Sequence, residues 1–66
     1  MNCDELNRVI NESGMKRSFI AESLGMSDMQ FYRRTHGETA WKYGEVQKFC
    51  KLLKIGSKQR EDIFFA

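Results

Sequence analysis

Apolar residues recur along the chain at intervals of three and four positions, the spacing that places them on one face of an α-helix. No segment alternates apolar and polar residues over the length of a β-strand. The pattern therefore predicts an all-α fold of five short helices. The first is expected to begin near Asn2, with Asn2 and Glu5 spaced as a capping box, and to end at Gly14, a residue suited to the left-handed position after a helix. Its buried face holds Leu6, Val9 and Ile10.

The stretch SLGMSDMQFYR, residues 23–33, predicts a helix end followed at once by a new helix start. A second helix from about Arg17 to Leu24 is expected to end at Gly25 and to bury Ile20, Ala21 and Leu24. Ser27 is expected to cap a third helix that runs to about His36. Gln30, three positions after Ser27, completes a second capping box.

Residues 37–41 are predicted to form a loop before a fourth helix over about 42–53. The core stripe of that helix is Val46, Phe49, Cys50 and Leu53. Gly56 and Ser57 are expected to break and recap the chain. A fifth helix from about Lys58 to Phe64 then returns Ile63 and Phe64 to the core, and Trp41 is expected to cover helices three and four as a lid.

Size and charge narrow the class of protein. A chain of 66 residues allows one domain with one core, because a domain of this size buries only about 60% of its unfolded surface. Residues 15–60 hold ten basic and four acidic side chains, a net charge of +6, whereas residues 1–14 and 61–66 each carry −2. A basic middle between acidic ends favours a polyanionic partner, although a solvated surface has the same composition.

Two cysteines, Cys3 and Cys50, are too few and too far apart for a zinc cluster. We expect reduced thiols in a cytoplasmic protein, with Cys50 in the core. No apolar run approaches the length of a membrane span. The single histidine, His36, has no nucleophile or carboxylate partner in the sequence, and no phosphate-binding glycine loop is present, so we predict neither catalysis nor a cofactor or metal.

Two helices joined by about three residues around a glycine have the form of a helix-turn-helix. If Arg17 is the first motif position, Ala21 is the fifth, where the helices touch, and Gly25 the ninth, which needs a positive φ. Phe31 is the fifteenth, an apolar anchor. On these positions, and on the stretch VQKFCKLLKIGSKQREDIFFA (residues 46–66), the chain resembles the Cro and lambda-repressor type of helix-turn-helix domain. The resemblance covers nearly the whole chain and implies a compact five-helix DNA-binding domain over residues 1–66, with the motif at about 17–36.

Two positions depart from the pattern of that family. The eighteenth is commonly aliphatic but is Arg34 here, so we expect Thr35 to take over part of the inward contact and Arg34 to point to phosphates. The first is often a glutamine that binds a phosphate, and Arg17 keeps that role.

The resemblance implies base contacts from the side of the third helix opposite Phe31, by Asp28, Met29, Tyr32 and Arg33. Arg33 suits guanine, whose O6 and N7 accept two hydrogen bonds from a guanidinium, and Met29 suits a thymine methyl group. Asp28 either accepts a hydrogen bond from cytosine N4 or only favours the helix N-terminus.

The cations Lys16 and Arg17 stand at the start of the second helix, where the helix dipole disfavours each by a few tenths to about 1 kcal/mol. A DNA phosphate would remove this conflict, although a solvated pair is the simpler alternative. The predicted backbone contacts are Lys16, Arg17, Ser27, Arg34, His36, Thr39 and Lys42.

These features together predict a Cro-like repressor, encoded by a phage or prophage and acting in the bacterial cytoplasm. Two copies would bind a pseudo-palindromic operator with half-sites about 34 Å apart, and no small-molecule ligand is expected. The dimer interface is placed near Ile55, Lys58 and Phe65. The alternative is a helix-turn-helix fold used as a protein-binding module, such as an antirepressor or antitoxin-like partner, which Asp28, Met29 and Arg34 leave open. A third possibility is a DNA-binding fragment of a longer repressor.

Overall fold

The computed structural model describes residues 1–65 and contains five α-helices and no β-strand within that range. The helices are α1 (Cys3–Glu12), α2 (Arg17–Ser23), α3 (Asp28–Thr35), α4 (Tyr43–Leu53) and α5 (Ser57–Phe64). All five predicted helices are present, so the all-α prediction is confirmed. In the part of the chain that the structure describes, no helix has both the length and the apolar character needed to cross a membrane.

The capping prediction was correct at α3, half correct at α1 and wrong at α5. The Ser27 hydroxyl accepts from the Gln30 N–H at 3.1 Å, and the Gln30 side chain accepts from the Ser27 N–H at 2.9 Å. At α1 only half of the predicted box forms: Asn2 accepts from the Glu5 N–H, but its own N–H donates to Ile63 in α5 at 2.7 Å. Ser57 is no cap, because α5 begins after Gly56 and has no side-chain cap.

The core is built from the predicted helix faces. Its largest fully buried apolar side chains come from α1, α2, α4 and α5: Leu6, Ile10, Ile20, Phe49 and Ile63. Cys50 is buried as predicted, whereas Leu53 is only partly buried. Each large apolar side chain that becomes fully buried contributes about 1.5–3 kcal/mol. Helix α1 packs against α3 and α5, and α2 packs against α3.

Trp41 covers this core as predicted. Its ring meets Phe49 and Phe64 edge-to-face, with ring centroids 5.3 and 5.1 Å away. Its indole N–H donates to the carbonyl oxygen of Arg34 at 3.0 Å, which satisfies the polar end of a partly buried side chain. Trp41 thereby joins the end of α3 to α4 and α5.

The turn between α2 and α3 depends on Gly25, which has φ +74°. The Gly25 N–H donates to Glu22 and the Met26 N–H to Ala21, the two bonds of a Schellman motif. Met26 and Ala21 are both buried, so the turn is fixed by packing as well as by hydrogen bonds. This turn sets the direction in which α3 leaves α2.

Gly25→Ala should destabilise the protein by about 1–2 kcal/mol, because an L-residue is strained in the left-handed region. A Cβ at Gly25 would meet no atom within 4 Å, so the cost is conformational rather than steric. Gly44→Ala is the matched control: Gly44 lies in the first turn of α4 with equally open space, and alanine should be neutral or slightly stabilising there. Urea unfolding of both variants measures the difference, and equal stabilities would contradict the strain.

Candidate nucleic-acid interface

Helix α3 buries one side and exposes the other. Phe31 and Thr35, four positions apart, are 2% and 0% exposed. The four residues predicted to contact bases are all exposed. We call them the outer face of α3: Asp28, Met29, Tyr32 and Arg33. Met29 and Arg33 lie on the side away from the buried pair, because each is two positions from Phe31 and two residues span slightly more than half a turn. The predicted exposure of these four residues and the inward position of Thr35 are confirmed, but Asp28 precedes Phe31 by three positions and so lies about 60° from it on the helix rather than opposite.

Two side chains of the outer face have no structural role of their own. The Met29 side chain is 59% exposed, and within residues 1–65 the Arg33 guanidinium makes no ion pair or hydrogen bond. An exposed methionine beside an unpaired cation leaves both groups available to a partner.

Tyr32 stacks on His36, a contact that sequence reasoning missed. The two rings stack with centroids 4.0 Å apart and planes 23° apart. The His36 Nδ1 donates to the Tyr32 carbonyl oxygen at 2.8 Å, since a carbonyl can only accept. Tyrosine and histidine four positions apart on a helix are neighbours, which is the sequence signal for the stack. The outer face therefore ends in an exposed pair of stacked aromatic rings.

The start of α2 lies beside this face. Lys16 is the N-cap residue of α2 and makes no side-chain cap, and the first turn contains no acidic residue. The unfavourable placement of cations predicted there is confirmed. Arg17 donates one hydrogen bond, to Asn11 at 3.3 Å. A cleft of about 260 Å³ between α2 and α3 is lined by Arg17, Ser18, Asp28, Phe31 and Tyr32. The cation of Arg17 thus borders the outer face of α3.

The loop after α3 carries the other predicted backbone contacts. Thr39 and Lys42 are both exposed, and Lys42 is the N-cap residue of α4. The next residue, Tyr43, is 69% exposed and was not selected from the sequence. The exposure of an aromatic residue at the start of a helix depends on where the preceding loop lies, and the sequence does not show the position of that loop. The start of α4 therefore offers a basic and an aromatic side chain to solvent.

Arg34 does not point outward as expected. Its Nε and Nη2 donate to the Glu45 carboxylate at 2.8 and 3.0 Å. The two side chains are only 11% and 16% exposed. The hydrogen bonds from Arg34 lower the pKa of Glu45 below its ordinary value. Because this guanidinium is paired within the protein, we leave Arg34 out of the candidate interface.

The residues predicted for a dimer interface lie on and beside α5. Ile55 is partly buried, Lys58 is exposed, and the Phe65 side chain is 66% exposed, so it lacks internal cover as expected. Phe65 lines a groove of about 430 Å³ together with Met1, Cys3, Trp41 and Phe64, among others.

Comparison with known protein families, characterised proteins and solved structures finds no significant match to this chain. The resemblance to the Cro and lambda-repressor type therefore stays a prediction. A functional assignment rests on the geometry of α2, α3 and the loop that follows α3.

Acid should weaken the fold partly through Glu45. Its pKa is lowered in the folded state, so its contribution is complete above its ordinary pKa of 4.5 and is lost as the pH falls from there through the lower pKa of the folded state. Urea unfolding from about pH 6 to 3 should show a smaller loss of stability for Glu45→Gln than for the wild type. Some loss of stability in acid will remain in Glu45→Gln, because Arg8 also lowers the pKa of Glu5.

Glu38→Gln is the control for this measurement. Glu38 is exposed, and its carboxylate has no partner among the residues that the structure describes. The free energy of unfolding of Glu38→Gln should depend on pH in the same way as that of the wild type. Superimposable curves for Glu45→Gln and the wild type would contradict the linkage.

Proposed function

We propose that this chain is a helix-turn-helix protein of the lambda-repressor type that binds double-stranded DNA. Helix α3 enters the major groove, and the start of α2 meets the phosphate backbone. The outer face of α3 is the observation that carries the proposal. It exposes an unpaired arginine, a methionine and a tyrosine stacked on His36, while Phe31 and Thr35 anchor the buried side.

The electrostatics of α2 support this docking. Lys16 and Arg17 stand at the positive end of a helix dipole, without a carboxylate in the first turn. A phosphate at that position would be attracted both by the cations and by the free N–H groups of the first turn. Lys42 and Thr39 extend the same contact to the start of α4, since both are exposed there.

The outer face divides into groups with different partners. Arg33 matches the two acceptors of guanine, and Met29 matches the methyl group of thymine. Asp28 accepts from cytosine N4 or acts only on the helix dipole. Ser27 is engaged as an acceptor at the N-cap, but its hydroxyl proton can still be donated to a phosphate. Because base and phosphate contacts come from separate residues, specificity and affinity can be tested separately.

The short length of α3 supports a protein that binds DNA as a dimer. One eight-residue helix can contact only a few base pairs, so we propose a homodimer on a pseudo-palindromic operator. The region around Ile55, Lys58 and the exposed Phe65 is our candidate for the interface between the copies. A protein of this kind represses transcription by occupying the operator, as a small phage or prophage regulator would.

A protein-binding module is the second candidate, because Asp28 places a negative charge on the outer face. Methionine and tyrosine are enriched at protein interfaces, and a carboxylate repels phosphates. An antirepressor or antitoxin-like partner would use the same surface. Its affinity for DNA would be weak and would not depend on sequence.

Selection from a random duplex library, followed by salt titration, tests DNA binding. For a selected operator, the affinity should fall with a log–log slope of about −0.9 for each phosphate neutralised. Arg17→Ala should weaken all duplexes alike and flatten the slope by roughly one unit. Lys48→Ala is the matched control, because Lys48 is an exposed cation on α4 and outside the proposed interface. Failure to enrich any sequence would contradict the proposal.

Arg33→Ala should instead cost about 1–3 kcal/mol at one base position. The measurement compares affinities for the operator and for duplexes with single base-pair changes. Discrimination should disappear at one position and persist at the others. A uniform loss on every duplex would make Arg33 a contact to the DNA backbone only.

A further inference from the structure

The C-terminal end of α3 is tied to three other parts of the protein by side-chain hydrogen bonds. Asn7 of α1 donates to the carbonyl oxygen of Thr35 at 3.0 Å. Trp41 donates to the carbonyl oxygen of Arg34, also at 3.0 Å. The Arg34 side chain pairs with Glu45 of α4. These bonds hold the end of α3 that carries Arg33.

The carboxylate of Glu45 is fixed at both oxygens. Its Oε1 accepts from the Arg34 Nε at 2.8 Å and from the backbone N–H of Lys42 at 2.9 Å. Its Oε2 accepts from the Arg34 Nη2 at 3.0 Å. A planar guanidinium that donates twice to one carboxylate permits only a narrow range of orientations. One carboxylate therefore connects the last turn of α3, the N-cap of α4 and the loop between them.

The contribution of the Arg34–Glu45 ion pair to folding stability does not by itself explain why the protein contains it. A well-shielded ion pair is seldom more stabilising than two packed apolar side chains, because both charges lose their hydration. What the pair supplies is geometry. Arg34 neighbours Arg33 on α3, and the third donor comes from Lys42, so the pair spans one proposed base contact and one proposed phosphate contact.

We propose that Arg34 and Glu45 are positioning residues that fix the orientation of α3 relative to the loop 36–42 and so set base specificity without touching DNA. The specificity role rests on the proposed DNA binding. A rotation of α3 about its axis would move the guanidinium of Arg33 away from the base edge, while the phosphate contacts of α2 would be retained. Loss of the pair should therefore reduce discrimination between sequences more than it reduces general affinity for DNA.

Arg34→Lys tests this role because it keeps the charge and removes the forked geometry. The quantity to measure is the ratio of the dissociation constants for an unrelated duplex and for the selected operator. This ratio should fall about tenfold, within the range that one two-bond base contact contributes, while binding to the unrelated duplex changes less than about twofold. Partial unfolding would scale both constants equally, so a merely stabilising role would leave the ratio unchanged.

Glu45→Gln is a second test variant, and Glu38→Gln is its matched control. Each removes one negative charge, and Glu38 is exposed in the loop 36–42. Both changes should strengthen binding to unrelated DNA to a similar degree, because that binding is electrostatic. Only Glu45→Gln should lower the specificity ratio. An unchanged ratio in both Arg34→Lys and Glu45→Gln would overturn the positioning role.

NMR spectra without DNA separate this inference from the proposed function. The Trp41 indole N–H and the backbone amides of residues 32–36 should shift in Glu45→Gln, and the Trp41 indole N–H should also shift in Arg34→Lys, whereas none of these signals should shift in Glu38→Gln. Their invariance would show that the pair does not position α3, whatever the protein binds. A wild-type protein without any sequence preference would overturn the proposed function and the specificity role, whereas operator preference with an unchanged ratio would overturn the positioning role alone.

Discussion

The burial of Phe31 and Thr35 on one side of α3 is the constraint from which the rest of the surface follows. A helix is stiff, so burying two positions one turn apart decides which of its other side chains lie on the outer side, and the Arg34–Glu45 pair narrows the rotation that this burial leaves open. Met29 and Arg33 consequently face solvent, and no rearrangement of side chains alone can bury them. Ala21 allows the close packing of α2 on α3, and Gly25 gives the turn between them its angle. The candidate interface is the outcome of packing on the opposite side.

An eight-residue helix is not stable in water by itself, so α3 depends on what surrounds its ends. The capping box of Ser27 and Gln30 satisfies its first turn. Its last carbonyl groups accept from Asn7, from Trp41 and from backbone N–H groups of the following turn. The helix that presents the outer face is therefore held by α1, α4 and the loop as well as by the core. This arrangement suits a surface that must meet its partner in one orientation.

Local sequence signals predicted the helices, the core faces and the cap of α3, because spacing and capping act over three or four residues. Contacts between distant residues escaped prediction. The Asn2 N–H, assigned to a capping box, bonds to α5, whose position no local pattern specifies. Arg34 was predicted to point outward because its partner, Glu45, lies eleven positions further on, and no local pattern pairs residues that far apart. A charged residue at a position that is usually aliphatic was nevertheless a signal, since a shielded charge needs a partner.

Chemical-shift mapping of the backbone amides during titration with an operator duplex tests the central claim most directly, because it locates the contact without any substitution. DNA docked on the outer face of α3 should produce its largest shifts at residues 16–18, 28–33 and 39–43. The amides of residues 46–53 in α4 should change little. Largest shifts along the groove beside Phe65, or no shifts with any duplex, would contradict the account.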